Sequence, residues 1–227
     1  MTEVSATPLA RYKDLCVDAV DIDRAGRFWA AALGLSLHSE EGSVWLSGSE
    51  KVQTIWINEV PEPKTVKNRA HLDVYAGAPA DLEALGARIV RPADDDQRWT
   101  VLRDPDGQEF CAFVRREPPD YRLYELVIDS AAPEQIASWW AEAFGTSVEA
   151  GEGYWYLQIP GAPFAAMTFV TVPEPKTVKN RVHWDVVGDP ARLVGAGARV
   201  LRPKGGDTRW HVLADPDGNE FCAFDAG

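Results

Sequence analysis

The chain has 227 residues, of which 45% are hydrophobic and 26% are charged, a balance typical of soluble globular proteins and not of disordered or fibrous chains. Its formal net charge of −12 at pH 7 would repel polyanions, so neither nucleic acid nor an anionic membrane is an expected partner. The chain lacks an apolar run long enough for a membrane span or a signal peptide, and its three scattered cysteines suit a reducing compartment, so we expect a cytoplasmic location.

Turn and capping signals predict the elements of the first half in chain order. A short strand leads to a helix that Asp21 can cap and Gly34 can end, and three strands follow. A second strand, helix and three-strand unit comes after a Pro- and Lys-rich connection, with the DPDG run at 104–107 as a tight turn. The predicted strands cover 12–18, 35–39, 44–47, 52–58, 71–75, 87–91, 99–103 and 109–114, and the second helix covers 79–85.

The second half repeats the first. Residues 60–74 and 172–186 are identical at 13 of 15 positions, and residues 98–113 and 209–224 at 13 of 16. This period is too long for a solenoid repeat, so the sequence predicts two domains, 11–116 and 121–227, each of two βαβββ modules. The repeated segment VPEPKTVKNR carries basic residues but no Gly-rich loop, and we expect it to connect modules rather than to bind phosphate.

Three motifs carry a resemblance to a known family. They are FWAAALG at 28–34 after the first strand, NRxHxD at 68–73, and DPDGxEFCAF at 104–113, with counterparts at 139–145, 180–185 and 215–224. Both copies resemble the glyoxalase-like branch of the vicinal oxygen chelate superfamily over nearly their full length. The resemblance implies an α+β fold in which two βαβββ modules form a cupped, incomplete barrel, with the site on its concave face.

Metal-dependent members of that superfamily take ligands from the first strand of each module and from the last strand. By motif position the corresponding residues are Asp14, His71 and Cys111 in the first copy and Glu125, His183 and Cys222 in the second. Metal-binding relatives generally have a glutamate where both copies have cysteine, so we expect no cofactor. The alternative is a divalent metal, zinc above all, held by one of those two sets of residues.

Six residues are candidate acid–base groups. They are His71, His183, Asp14, Glu125, Glu109 and Glu220. Strand alternation places carboxylates on the same face as each imidazole, which would raise the histidine pKa and suit proton transfer near neutral pH. The alternative is that the histidines are hydrogen-bonded strand residues, that the acids lie in solvent, and that the cysteines are small buried hydrophobic residues.

Tryptophan is abundant and suggests surfaces for flat apolar ligands. The candidate ligand-binding residues are Trp45, Trp56, Trp99, Trp155, Trp184 and Trp210, the neighbouring Arg98 and Arg209, and Cys111 and Cys222. The arginines could orient an anionic or planar ligand by pairing or stacking. Trp29 and Trp140 lie in the first helix of each copy and are expected to pack against the sheet.

These features favour a protein that binds a small organic molecule in its cups, an aromatic natural product among the options, with resistance by sequestration as one use. The alternative is a lyase, isomerase or oxygenase that uses His183 or His71 as acid–base group or metal ligand, so whether the chain is an enzyme stays open. A third option is that one copy has lost its site and serves only as a packing partner. The second copy is then favoured as the active one, because it has Glu125 where the first copy has Asp14 and His211 where the first copy has Thr100. We expect the copies to pair within the chain; the sequence leaves exchange of modules and a homodimer open.

Overall fold

The structure, a computed structural model, describes residues 7–206 and 208–226. Its first half contains β1 (Ala10–Ala19), α1 (Ile22–Leu33), β2 (Ser36–Glu40), β3 (Ser43–Ser47), β4 (Ile55–Glu59), β5 (Ala70–Ala76), α2 (Pro79–Ala84), β6 (Arg88–Arg91), β7 (Thr100–Arg103) and β8 (Glu109–Val114). Its second half contains β9 (Leu123–Ser130), α3 (Pro133–Phe144), β10 (Glu149–Ala150), β11 (Tyr154–Leu157), β12 (Ala166–Thr171), β13 (Val182–Gly188), α4 (Pro190–Gly195), β14 (Arg199–Arg202), β15 (His211–Ala214) and β16 (Glu220–Phe224). The predicted βαβββ order is confirmed; the predicted strand 52–58 is shorter, because 51–53 form a 3₁₀ turn.

The first helix of each half begins and ends where local chemistry dictates. The side chain of Asp21 accepts a hydrogen bond of 2.9 Å from the backbone N–H of Arg24, and α1 ends at Gly34 with φ of 72°. In the second half Pro133 occupies the first turn of α3, and Gly145 ends that helix with φ of 67°. Glycine tolerates this left-handed backbone because it has no Cβ, so both helices stop at the same point of the repeat.

The strands form two eight-stranded sheets that each combine one module from each half. Sheet A has the order β14-β15-β16-β13-β1-β4-β3-β2, and sheet B has the order β10-β11-β12-β9-β5-β8-β7-β6. In sheet A, β1 pairs antiparallel with β13, and in sheet B, β5 pairs antiparallel with β9. Neither sheet closes into a barrel, and we call their concave faces cup A and cup B.

This pairing answers the question of module exchange. The two halves do pair within the chain, but each cup takes its first module from one half and its last module from the other. The predicted ranges 11–116 and 121–227 describe the repeat in the sequence, and neither range contains a whole cup. Any site inside a cup therefore draws residues from both halves.

The core lies between the two sheets, where α1 and α3 each contact strands of both. Trp29 and Trp140 are 2% and 0% exposed, as expected from the sequence. Each indole N–H donates to the first aspartate of the DPDG turn of its own half, Trp29 to Asp104 at 3.1 Å and Trp140 to Asp215 at 2.9 Å. Burial raises the pKa of both aspartates to about 6. No helix in the described part of the chain has the length and apolarity needed to cross a bilayer.

Candidate functional site

The floor of cup A forms where β1 crosses β13. Asp14 lies opposite Asp185 in the strand register, and Cys16 lies opposite His183. All four residues are buried, with 4% to 7% of their surface exposed. Strand alternation turns the intervening Leu15 and Trp184 into the core between the sheets, where both are 0% exposed. Two carboxylates, an imidazole and a thiol thus meet at one point.

A β-bulge brings an extra side chain into this floor. The register of β1 shifts between Tyr12 and Asp14, and Lys13 lines the cup A cavity. Its Nζ lies 2.6 Å from an oxygen of Asp14, 3.6 Å from one of Asp185 and 4.2 Å from the centre of the Phe224 ring. Burial lowers the pKa of Lys13, but the two carboxylates outweigh it and leave the pKa raised. The ammonium therefore stays charged among them.

Asp185 is the proton-holding acid of cup A. Burial and the nearby Asp14 carboxylate raise its pKa to about 8, with Lys13 opposing them. The thiol of Cys16 lies 3.7 Å from Oδ1 of Asp185, and the indole N–H of Trp56 donates to Asp14 at 3.3 Å. At neutral pH Asp185 is mainly protonated, because two neighbouring carboxylates in a buried site do not both ionise readily.

His183 is the matching neutral base. Burial lowers its pKa, and the negative charges of Asp18, Glu220 and Asp14 only partly oppose that effect. Its Nδ1 is buried without a hydrogen-bond partner among the described residues. A neutral imidazole beside a protonated carboxyl group is an arrangement that can accept one proton and donate another.

A cavity of about 670 Å³ stands over this floor. Its aromatic walls are the rings of Trp56, Trp210 and Phe224, while the ring of Phe221 turns into the core against Trp140. Two further cations line it, Lys179, which forms an ion pair with Asp18, and Arg202. The volume lies within the range of small-molecule sites, and apolar rings with few polar groups are the usual lining of such sites.

Cup B has the same plan with different occupants. Asp73 lies opposite Glu125, His71 lies opposite Val127, and Cys111 is the β8 partner of Asp73. The bulge of β9 brings in Tyr124 where cup A has Lys13. The Tyr124 ring lies 4.5 Å from that of Tyr75 and 5.1 Å from that of Phe113, and Trp99 stacks on Phe113 at 5.9 Å. These four rings pack on one another inside cup B.

The histidine of cup B has the opposite charge preference from that of cup A. Nδ1 of His71 lies 3.1 Å from Oδ1 of Asp73, a charge contact rather than a well-directed hydrogen bond. Burial lowers the pKa of His71, but Asp73 and the more distant Asp129 outweigh it, so the pKa is raised. The expected raised pKa therefore holds for His71 and is wrong for His183, whose ring nitrogens have no carboxylate oxygen within 4.0 Å in residues 7–206 and 208–226.

The structure changes the membership of both predicted metal sets. The first set combined Asp14 with His71 and Cys111, but Asp14 belongs to sheet A and the other two to sheet B. The second set combined Glu125 with His183, which are likewise on different sheets. Donor atoms come within 4.8 Å of one another in two other groups, Cys16, His183 and Asp185 in cup A and His71, Asp73 and Cys111 in cup B. The predicted sets were wrong because the modules exchange.

The donor chemistry of these groups fits zinc. Cysteine, histidine and aspartate are all zinc ligands, and three protein ligands leave a fourth position free for substrate or water. Burial raises the pKa of the Cys16 and Cys111 thiols far above normal, so each keeps its proton until a metal ion displaces it. Magnesium and manganese prefer oxygen donors, and one carboxylate is too few for them.

The predicted aromatic residues divide between the cups and the core. Trp56 and Trp210 line the cup A cavity as predicted, while Trp45 shares their face through its contact with Trp56 at 5.8 Å. Trp184 is wrong as a ligand contact, because it is fully buried against Trp140 at 5.2 Å. Trp155 packs against the core, and Trp99 lies in cup B on Phe113.

The predicted arginines and glutamates have other surroundings. Arg98 and Arg209 are exposed, and Arg202 is the arginine that lines the cup A cavity. Lys64 donates to Glu109 at 2.8 Å and Lys176 to Glu220 at 2.7 Å, while the same carboxylates accept from the backbone N–H of Asn68 and Asn180. These glutamates therefore fasten the repeated segment to the last strand, and Glu220 also lines the cavity. Cys222 lines the cavity too.

Sequence reasoning missed the residues that distinguish the cups. Lys13 and Tyr124 enter through bulges, which a regular two-residue alternation does not anticipate. Cys16, Asp73 and Asp185 share strand faces with predicted residues, and that alternation was a sufficient signal for them.

Comparison with known proteins identifies the family. A family model described as a glyoxalase-like domain matches the chain twice, over 14–113 and 125–224. No curated protein matches it. Glyoxalase I from Zea mays is 13% identical, over 95% of this chain and 92% of that one, with a TM-score of 0.64. A putative dioxygenase from Bacillus subtilis subsp. subtilis str. 168 is also 13% identical, over 97% and 86%, with a TM-score of 0.66.

Sequence identities this low show that the folds are similar and say nothing about a shared function. The two model matches, by contrast, span most of both halves. The chain therefore belongs to the glyoxalase-like domain family of the vicinal oxygen chelate superfamily, present here as two tandem copies.

Proposed function

We propose that cup A binds a small organic molecule with a flat, aromatic part and an anionic or hydrogen-bonding group. The observation that carries this proposal is the cavity of about 670 Å³ with aromatic walls over a polar floor. Trp56, Trp210 and Phe224 offer rings for stacking, and Arg202 offers positive charge. Lys13, whose charge is balanced by Asp14, offers a hydrogen-bond donor. A protein that confers resistance by sequestering an aromatic natural product requires only such a binding cavity.

The repeat provides a matched test of this proposal. Anilinonaphthalene sulfonate, an anionic aromatic dye, is the first probe, followed by a panel of aromatic acids and phenols in titration calorimetry. Trp210→Ala removes a wall of cup A, and Trp99→Ala removes the equivalent ring of cup B. We expect Trp210→Ala to weaken binding about tenfold or more and Trp99→Ala to leave it nearly unchanged. Equal losses in both variants, or no binding by wild type, would contradict the proposal.

A second candidate function is an enzyme of the lyase, isomerase or oxygenase type in cup A. It rests on the contact of Cys16, His183 and Asp185 and on the opposite pKa shifts of the last two. His183 would accept a proton from substrate and Asp185 would donate one. In a metal-dependent version of this enzyme, Cys16, His183 and Asp185 would instead hold zinc, which supplies Lewis-acid polarisation of a carbonyl or similar oxygen when bound; His183 and Asp185 would then be ligands and not proton-transfer groups.

Metal analysis separates the two candidates. Purified wild type, His183→Ala and Cys16→Ser are compared for zinc, iron, manganese and nickel, with Cys222→Ser as control, since Cys222 lies outside the donor group. The enzyme is favoured over sequestration if wild type and the control bind zinc stoichiometrically, both cup A variants lose the zinc, and wild type turns over a substrate. Tight ligand binding without metal and without turnover supports sequestration. We also include in this proposal that the protein is located in the cytoplasm and that it forms a homodimer.

A further inference from the structure

The two copies of the segment KTVKNR, residues 64–69 and 176–181, line one cavity that adjoins cup A and shares Asp18 and Lys179 with it. Arg69 of the first segment donates through Nη2 to the backbone carbonyl of Glu174, and Arg181 of the second donates in the same way to the carbonyl of Glu62. Each arginine thus reaches into the opposite half of the chain. The repeat places two guanidinium groups at equivalent positions across one junction.

This cavity, of about 200 Å³, occupies the junction. Residues 62–69 and 178–181 line it, together with Asp18. Five of its lining residues carry positive charge and two, Asp18 and Glu62, carry negative charge, in a protein whose net charge is −12. The five positive residues are Lys64, Lys67, Arg69, Lys179 and Arg181.

The three lysines already have carboxylate partners. Lys64 pairs with Glu109, Lys67 with Asp129 and Lys179 with Asp18. The Asp18 carboxylate on the cavity wall is therefore neutralised by its own lysine. The lysine charges are compensated and add little net attraction for a further anion.

The two arginines lack such partners. Within residues 7–206 and 208–226, no carboxylate oxygen lies within 4.0 Å of either guanidinium. Arg69 and Arg181 are only 8% and 9% exposed. Nε of Arg69 and Nη1 of Arg181 are buried without a hydrogen-bond acceptor in the same part of the chain. Both arginines line the cavity, so an anion there would offset the cost of burying two positive charges.

We propose that the cavity between the two segments binds a small oxyanion, such as phosphate or a carboxylate. The planar fork of a guanidinium matches the paired oxygens of these groups, and charge-assisted hydrogen bonds to them are strong. The cavity has room for an oxyanion together with bound water. The proposal gives a binding role to a segment that the sequence predicts only as a connection between modules.

The test is titration calorimetry of the full chain with inorganic phosphate at constant ionic strength, with chloride as the competing salt. We expect one saturable site per chain, and thermal unfolding should shift upward with phosphate because the ligand binds the folded state. A second titration, with malonate, tests whether the natural ligand carries a phosphoryl group or a carboxylate. Stronger binding of phosphate indicates a phosphoryl group, and stronger binding of malonate indicates a carboxylate.

The decisive variant is Arg69→Gln with Arg181→Gln, which should weaken binding about tenfold or more. Its matched control is Arg88→Gln with Arg199→Gln, which removes two exposed arginines at equivalent positions of β6 and β14 and changes the net charge equally. The control should bind nearly as wild type does. Equal losses in both double variants would reduce the effect to net charge and overturn the proposal.

Two further results bear on the proposal. The proposal is overturned if wild type shows neither a saturable binding heat nor a shift of its unfolding temperature at millimolar phosphate, whatever the variants do. If the double glutamine variant does not fold, Arg69→Lys with Arg181→Lys keeps the charge and loses the fork, and weaker binding by it supports the site. His183→Ala should bind phosphate normally, and its failure to do so would place the anion in cup A and overturn the proposal.

Discussion

The two cups have the same backbone and differ in what fills them. In cup A the bulge on β1 brings in Lys13, whose charge lies among two carboxylates beneath a cavity of about 670 Å³. In cup B the bulge on β9 brings in Tyr124, whose ring packs with Tyr75 and Phe113. The same position of the repeat therefore gives cup A a charged side chain and cup B an aromatic one.

The histidines differ for a related reason. His71 has Asp73 at 3.1 Å and a raised pKa, whereas His183 has no such contact and a lowered pKa. In cup A the carboxylate equivalent to Asp73 is Asp185, which is itself mainly protonated at neutral pH because its pKa is about 8. Cup B thus holds a charged pair, and cup A holds two neutral groups that can exchange protons with a ligand.

The largest expected effect comes from giving cup A the ring of cup B. In Lys13→Tyr the new ring should contact Phe224 as Tyr124 contacts Phe113, fill the cavity and remove the central positive charge. Binding of anilinonaphthalene sulfonate should fall about a hundredfold, which corresponds to about 2.7 kcal/mol. Fluorescence titration measures it, and Tyr124→Lys, which should leave cup A unaffected, is the control. Unchanged affinity in Lys13→Tyr would mean that the ligand sits elsewhere.

Asp185→Asn should stabilise the protein at alkaline pH. The unfolded chain releases this proton near its ordinary pKa of 3.8 and the folded chain near 8, so the folded state binds more protons between these values and stability falls as pH rises through that window. The side-chain amide of asparagine does not ionise, so Asp185→Asn removes this loss of stability at high pH. We expect the free energy of unfolding to rise by about 2 kcal/mol at pH 9 and hardly at all at pH 4, measured by urea unfolding. A destabilised variant at pH 9 would contradict the raised pKa.

The two buried indoles offer a smaller test of the difference between the halves. Oδ2 of Asp215 accepts from Asn219 as well as from Trp140, whereas Oδ2 of Asp104 has Trp29 as its one donor among the described residues. Trp29→Phe should therefore cost about 1 kcal/mol more than Trp140→Phe, because it leaves a buried acceptor unpaired. Parallel denaturant unfolding of the two variants measures the difference, and equal costs would argue against it.

The smallest expected effect concerns His71. Its pKa is raised above 6.5, so the pair with Asp73 stabilises the protein fully below pH 6.5 and less as pH rises through the folded pKa. Asp73→Asn should lower the free energy of unfolding by about 1 kcal/mol at pH 5.5 and much less at pH 8.5. NMR titration of the imidazoles should show His71 losing its shift while His183 keeps its own. A change at His183 would mean that the cups are coupled.

Much of the fold could be predicted from the sequence. The repeat and the capping residues Asp21 and Gly34 placed the elements within a few residues, because local chemistry determines where strands and helices begin and end. Pairing between the modules could not be predicted. The strands His71–Asp73 and His183–Asp185 lie in nearly identical segments, so either could pair with β1 as far as the sequence indicates.

The sequence predicted some of the side chains that face the cups but not how they assemble. His71, His183, Cys111 and Cys222 do face the cups, as the motifs implied. Their partners were assigned to the wrong half, since sequence proximity favoured Asp14 with His71 whereas the strand register joins Asp14 to Asp185. The bulges depend on how two strands fit together, and a single strand's sequence carries no sign of that fit.

The exchanged modules have a consequence for how this chain can change. Two separate copies of one half, associated through β1 and β5, would build two identical hollows, because each would contain the same amino acids. Fusion into one polypeptide removes that identity, so a substitution at Lys13 alters one hollow and leaves the other with Tyr124. Covalent linkage thus allows the two hollows to carry different side chains, an ammonium group in one and a phenol ring in the other.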